Sequence, residues 1–191
     1  ELCWIARRMR SALRVHFLCA NAGNSITRYH MAPGLLTPTG NPDTIVTGMQ
    51  MMGSHNLHNV VLQNGTLYVN IGTATNSCQR GDRQPESPGI NPCTELDTRG
   101  GIWEFDADKF RQQAGAGRRY ATGLRNSVAL TRNPLDGNLY ATGHGSDRLH
   151  DDWPKLFPVE KSADNPGAIL GKGEPGADSG WPAGYHSAEY P

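Results

Sequence analysis

The sequence predicts an all-β fold built from a repeated unit of four short strands, and three observations carry that prediction. The first is the stretch from Tyr120 to Asp147, YATGLRNSVALTRNPLDGNLYATGHGSD. Val128 to Thr131 is a short apolar run, Asp136-Gly137 is a strong hairpin signal, and Asn138 to Thr142 alternates, with Leu139 and Ala141 on one face and Tyr140 and Thr142 on the other. The second is that this pattern occurs twice. NGTLYVNIG from Asn64 mirrors DGNLYATG from Asp136, Thr47-Gly48-Met49 mirrors Thr122-Gly123-Leu124, and SITRY from Ser25 mirrors GIWEF from Gly101. Three motifs recur in the same order at nearly one offset, which is how repeated blades are written in a chain. The third is composition: 23 Gly and 13 Pro among 191 residues, with 37% apolar content, favour many short strands over long helices. Repeated four-stranded units are the signature of a β-propeller, here about two blades and the start of a third.

In chain order, residues 1–19 form an unassigned basic segment. Arg7, Arg8, Arg10 and Arg14 cluster there; a short amphipathic helix is one reading and sequence unrelated to the fold is the other, and Cys3 and Cys19 are left without a role. Cys3 to Ala6 is too short for the apolar core of a signal peptide. Residues 20–191 make up the partial propeller. Asn24 to Met31 reads as a strand, Pro33 to Pro42 as a loop and Asp43 to Gly48 as the next strand. The segment GSHNLHN follows from Gly53. Its His55 and His58 invite a metal reading, but such a site needs a third or fourth ligand, and a base role for one of them is the preferred alternative to loop histidines with no chemical function.

A long insertion runs from Thr73 to Gly100 and holds Cys78 and Cys93 in loop-type sequence. A loop of that length is functional or tied down. A disulfide between Cys78 and Cys93 would tie it and would imply an oxidising compartment. Two free thiols, or half a zinc site, is the competing reading, which the lack of a CxxC pair weakens. Gly101 to Asp106 reads as a strand and Ala107 to Gly117 as a polar loop or short helical turn. The 120–147 hairpin comes next, with Arg125-Asn126 at one end and His144-Gly145-Ser146-Asp147 at the other, where sites sit on a rigid β scaffold. Asp151-Asp152 could offer oxygen ligands to calcium or be solvated. The tail ends in the aromatic turn DSGWP from Asp178.

Seven motifs in order, GSHNLHN, LYVNIGTATNSC, SPGINPCTEL, GIWEFDADK, YATGLRNSVAL, GNLYATGHGSDRLHDDWPKL and DSGWP, resemble the glucose/sorbosone dehydrogenase family of soluble quinoprotein sugar dehydrogenases. The resemblance covers roughly Ala20 to Pro191. It implies a six-bladed propeller that binds pyrroloquinoline quinone (PQQ) and Ca²⁺, acts in the periplasm or outside the cell, and oxidises a sugar, or a related alcohol or aldehyde, by hydride transfer to the quinone and onward to an external electron acceptor. Carried over by position, it makes His55 the general base, Arg125 the cation beside the reactive quinone carbonyl, Asn126 and His144 cofactor-binding residues, and Gly145 and Ser146 the backbone-carbonyl ligands of Ca²⁺. It also marks departures. Ser54 and Thr73 stand where glucose-oxidising relatives carry aspartates, the second of which supports the base; Ser146 replaces a proline; and Gly184 replaces a cysteine.

Other classes are bounded by the same residues. Net charge is zero, from 18 basic and 18 acidic side chains, which gives no electrostatic footprint for nucleic acid. No run of about 18 apolar residues could span a membrane. A non-catalytic propeller that binds a sugar or a protein partner, and a calcium-dependent lactone hydrolase, are the alternative functions. A closed propeller needs about four to eight blades, so the sequence is expected to be a piece of a longer protein, or an incomplete gene product, with little turnover of its own.

Overall fold

The computed structural model describes residues 2–6, 16–56, 58–163 and 168–183. Arg7, Arg8, Arg10 and Arg14 of the basic segment and Gly184 of the last turn lie outside them. Among the described residues the architecture is all-β: three small sheets, two one-turn α-helices and short 3-10 turns. The strands are β1 (Leu2–Ala6), β2 (His16–Ala22), β3 (Ser25–Met31), β4 (Asp43–Thr47), β5 (Val60–Gln63), β6 (Thr66–Ile71), β7 (Gly101–Asp106), β8 (Gln112–Gln113), β9 (Arg118–Thr122), β10 (Asn126–Arg132), β11 (Leu139–His144) and β12 (Ala168–Gly173). One sheet has the order β1-β2-β3-β4-β8, the second β5-β6-β7-β9 and the third β10-β11-β12.

By contact density the chain divides into two units: residues 1–51, 60–69 and 104–118, and residues 52–59, 70–103 and 119–191. In the first unit, β2 pairs antiparallel with both β1 and β3. This differs from the helix considered for the N-terminal segment: in β1 and β2 that segment supplies two further strands to the sheet, with Cys3 and Cys19 in register. The register between β3 and β4 slips at Ile26/Thr27, and Ile26, Ile45 and Val46 are buried. β5 and β6 form a hairpin with Gln63 opposite Thr66. Its two turn residues, Asn64 and Gly65, have φ of 50° and 83°, the left-handed pair that a two-residue turn between twisted strands requires. The polar stretch 107–117 is a two-residue strand, β8, that runs parallel to β4, followed by a 3-10 turn at Ala114–Ala116.

In the second unit, β10 and β11 make the expected hairpin, closed by the Asn133 amide donating to the Asn138 carbonyl at 2.9 Å. Leu139 and Ala141 are buried, as their alternation demands. The apolar run that begins at Val128 is not all core. The register shifts between Ser127 and Ala129, so Val128 becomes the extra residue of a bulge and is 38% exposed, while Ser127 is fully buried. The insertion is tied down by a disulfide between Cys78 and Cys93, with Cα atoms 6.0 Å apart. Inside it Arg80 donates to the Pro88 carbonyl at 3.0 Å and Ile90 to the Cys78 carbonyl at 2.8 Å. Residues 148–163 hold α1 (Leu149–Asp152) and α2 (Val159–Ala163). Asp152, left open as a calcium ligand or a solvated carboxylate, is fully buried. Among the described residues no helix is long and apolar enough to cross a membrane.

Candidate active site

The polar cluster of the second unit is assembled from loop ends. The chain around His55 is pressed against residues 72–74. A Cβ on Gly72 would lie 2.6 Å from the His55 carbonyl oxygen, and the Ser54 amide donates to the Ala74 carbonyl at 2.8 Å. That approach buries the imidazole, which is 6% exposed. His55 Nδ1 lies 2.9 Å from Thr73 Oγ1 and 3.2 Å from the Thr73 carbonyl oxygen. The Thr73 hydroxyl spends its one proton on the Thr75 carbonyl, 2.8 Å away. Both Thr73 oxygens therefore face Nδ1 as acceptors, so Nδ1 carries the hydrogen and Nε2 keeps the lone pair. The position that read as a lost aspartate partner of the base is thus filled by a hydroxyl and a carbonyl doing the same orienting work. Burial, and next the positive charge of Arg125, push the His55 pKa down to about 4, so the ring is neutral at neutral pH.

Arg125 follows β9 and sits at the mouth of the β10–β11 hairpin, only 4% exposed. Its backbone carbonyl accepts from the Thr73 amide at 2.9 Å, so one residue, Thr73, touches both His55 and Arg125. The Arg125 guanidinium is held by Asn76: Nε donates to the Asn76 carbonyl at 2.9 Å and Nη2 to its Oδ1 at 2.5 Å. Nη1 makes a long 3.5 Å contact with the His144 carbonyl. Asp147 lies 3.5 Å from Arg125 Nη2 and accepts two hydrogen bonds from Arg83, at 2.7 and 3.1 Å. Burial would raise its pKa, but the Arg83 hydrogen bonds and the charges of Arg125 and Arg83 outweigh that and hold it below the usual carboxylate range.

The structure brings together most of the positions singled out from the sequence. Asn126 and His144 are register partners across β10 and β11. His144 is exposed, and Asn126, Gly145 and Ser146 are half-buried. Ser146 Oγ donates to the Asn76 carbonyl at 3.2 Å. His58 stands apart: it is buried, with Nδ1 3.3 Å from the Asn70 carbonyl. Among the described residues no group of three or more His, Cys, Asp and Glu side chains could hold a metal ion. Asp152 approaches Arg148 Nε at 3.5 Å and Asn76 Nδ2 at 3.4 Å.

The sequence reading missed Asn76 altogether. It is fully buried, and its carbonyl also accepts from Trp181 Nε1 at 2.9 Å. It missed Asp82 and Arg83 as well, which the disulfide loop delivers: Asp82 accepts from the Asn76 amide at 2.8 Å and from the Ser54 hydroxyl. The available signal was the disulfide itself, since a tethered loop rich in charge is a loop held for a purpose.

A neutral buried imidazole with a defined lone pair, beside a fixed guanidinium, is able to accept a proton and to face negative charge. The chain belongs to the TrAA12-like family, whose model it matches over residues 10–178; the family is one of oxidoreductases. This corrects the resemblance to the glucose/sorbosone dehydrogenase family. Of the seven motifs that carried it, the alternating strands within LYVNIGTATNSC and GNLYATGHGSDRLHDDWPKL and the glycines at their ends are what any repeated four-stranded unit needs, so that part of the resemblance reports architecture rather than family. Two solved structures share the fold, described as the iodide and the calcium structures of Trichoderma reesei Carbohydrate-Active Enzymes Family AA12. The first has 20% identity and a TM-score of 0.62 over 83% of this chain and 37% of its own. The second has 19% identity and a TM-score of 0.62 over 92% of this chain and 41% of its own. The chain therefore spans about two fifths of the length of those structures. No curated protein matches it.

Proposed function

We propose that this chain is part of a PQQ-dependent oxidoreductase that acts on a carbohydrate, built on a β-propeller whose blades include the sheets described here. The observation that carries the reading is His55, a neutral imidazole with its Nδ1 proton committed to Thr73 and its Nε2 lone pair available, in electrostatic contact with Arg125. Membership of an oxidoreductase family supports it, and the name of the structural neighbours supplies the carbohydrate class.

The residues fit an anionic quinone at one point in particular. Arg125 spends Nε and Nη2 on Asn76 but leaves Nη1 with only a long contact, and an uncommitted guanidinium edge suits a ligand oxygen. Asn126 and His144 would flank the cofactor from the adjacent register position. PQQ, when bound, supplies the electrophilic carbonyl that accepts the hydride. His55 Nε2 would take the substrate hydroxyl proton, and Arg125 would place a fixed positive charge beside the group that is reduced. A base of pKa about 4 is uncharged at neutral pH but weak, and the imidazolium it would form is favoured first by the Thr73 carbonyl and then by the Asp147 charge. Calcium fits less well. The nearby carboxylates are engaged by Arg83 and Arg148, so the ion would rest on the backbone carbonyls of Gly145 and Ser146, and no step is assigned to it. The disulfide supports a periplasmic or secreted location.

The test is calorimetric titration with PQQ, with and without calcium, followed by dye-linked oxidation of aldoses. The expected result is saturable PQQ binding that Arg125→Lys weakens about tenfold or more and His55→Gln keeps, with little dye reduction by this chain alone, and, in a protein of the neighbours' full length that carries these residues, dye reduction that His55→Gln lowers by about 10²-fold or more. No heat of binding under any condition would overturn the reading.

A further inference from the structure

We infer that Asn76 is the positioning residue of this site: a single buried amide holds the Arg125 guanidinium and the loop Gly145–Asp147 in one register. The inference rests on the proposed function for its catalytic meaning, but its geometry stands alone. Asn76 Oδ1 accepts from Arg125 Nη2 at 2.5 Å and from the Asp147 amide at 3.2 Å, while Nδ2 donates to the Asp147 carbonyl at 2.7 Å. The two contacts with Asp147 imitate one rung of a β-ladder: a side-chain amide reads a backbone N–H and C=O together. Only a group with both an acceptor and a donor can do this. The Asn76 backbone carries the rest of the assembly, its carbonyl accepting from Arg125 Nε, Trp181 Nε1 and Ser146 Oγ and its N–H donating to Asp82.

The consequence is specific. Arg125 precedes β10 and Gly145 and Ser146 follow β11, so the Asn126–His144 pairing already sets their backbones side by side, but that pairing does not by itself orient the guanidinium against the loop beyond β11. Asn76, from a different loop, does so. Asp147, clasped through its backbone, is thereby presented to Arg83 and Arg125, the two cations that act on His55 together with it.

Three variants separate this role from simple packing. Asn76→Ala removes acceptor and donor, Asn76→Asp keeps the acceptor and removes the donor, and Asn76→Ser keeps a short hydroxyl and serves if the alanine variant does not fold. The readouts are exchange protection of the Asp147 amide and NMR detection of the Arg125 guanidinium hydrogens, in protein whose circular dichroism and intact disulfide match the parent. Expected results are a loss of Asp147 protection of roughly tenfold or more, with broadened Arg125 Nη signals, in Asn76→Ala or Asn76→Ser, and retention of the Arg125 signals in Asn76→Asp. Parent-like protection and Arg125 signals in the alanine or serine variant would overturn the inference, as would an aspartate variant that loses Arg125 to the same degree. PQQ titration of the same proteins is the second arm. If the parent binds PQQ, the alanine or serine variant should bind about tenfold more weakly or worse. Unchanged PQQ affinity beside lost Asp147 protection would overturn the positioning role. A parent that does not bind PQQ, with the NMR results as expected, removes the functional reading and leaves the clasp established.

Discussion

At the scale of single residues, the environment of His55 makes a pH prediction with a definite sign. Its pKa in the folded chain is about 4, below the 6.5 of an exposed imidazole. Between those values the unfolded chain binds more protons than the folded one, so stability rises with pH across that window and the penalty is complete below it. The difference corresponds to roughly 3 kcal/mol at most. Thermal melts from pH 4 to 7 should therefore show a falling Tm on acidification that His55→Gln largely flattens. Asp147 acts in the same direction at lower pH: its depressed pKa contributes stability that is lost as pH falls through the folded value. Arg83→Gln leaves Asp147 without its bidentate partner. Because the pair is about one-third exposed, the cost should be modest, on the order of 1 kcal/mol, while the His55 titration midpoint should move upward, which an NMR titration reads directly.

Elements explain why part of the molecule was legible from sequence. Alternation in Leu139–Thr142, the Asx-Gly turns and the glycines after β4 and β9 are local signals, and the structure uses them as read. Gly48 and Gly123 both adopt φ of 75°, yet they are not equivalent. A Cβ on Gly123 would lie 2.1 Å from Asp178 Oδ1 and 2.6 Å from the Gly180 nitrogen, whereas one on Gly48 would meet only Gln113 Oε1 at 3.1 Å. Gly123→Ala should thus cost about 1–3 kcal/mol, and more than Gly48→Ala, by chemical denaturation. The bulge at Val128 was not legible, because an apolar run does not announce a slipped register. Asn76 was invisible for a related reason. Its partners Arg125, Asp147 and Trp181 are 49, 71 and 105 residues away, and no local pattern encodes such a meeting. The disulfide was legible because a long loop demands a tie. Cys78→Ser with Cys93→Ser should remove roughly 3 kcal/mol on the chain-entropy estimate and lower Tm by about 6–12 °C, as scanning calorimetry would show.

For the whole chain, the sequence repeat and the sheets are out of phase by two strands. The repeat pairs β3, β4, β5 and β6 with β7, β9, β10 and β11, whereas the sheets group β5 and β6 with β7 and β9. The sheet β5-β6-β7-β9 thus takes its strands from both copies, which is why the offset was readable while sheet membership was not. The same logic explains the family correction. Motifs that satisfy a repeated four-stranded unit recur wherever that unit recurs, even when they run from Ala20 to Pro191, and it is the family model matched over residues 10–178 that distinguishes this family from another of such folds. The polar cluster around His55 and Arg125 draws Thr73, Asn76, Asp82 and Arg83 from the insertion between the copies, which the repeat itself does not include.

The account stands on a neutral His55 whose Nδ1 is protonated and whose Nε2 can accept a proton beside Arg125. Nitrogen-detected NMR of the histidine side chains across a pH series, with His55→Gln to assign the signal, measures both properties at once. The predicted result is an Nδ1–H tautomer that titrates near pH 4; an Nε2–H tautomer, or a midpoint near 6.5, would contradict it.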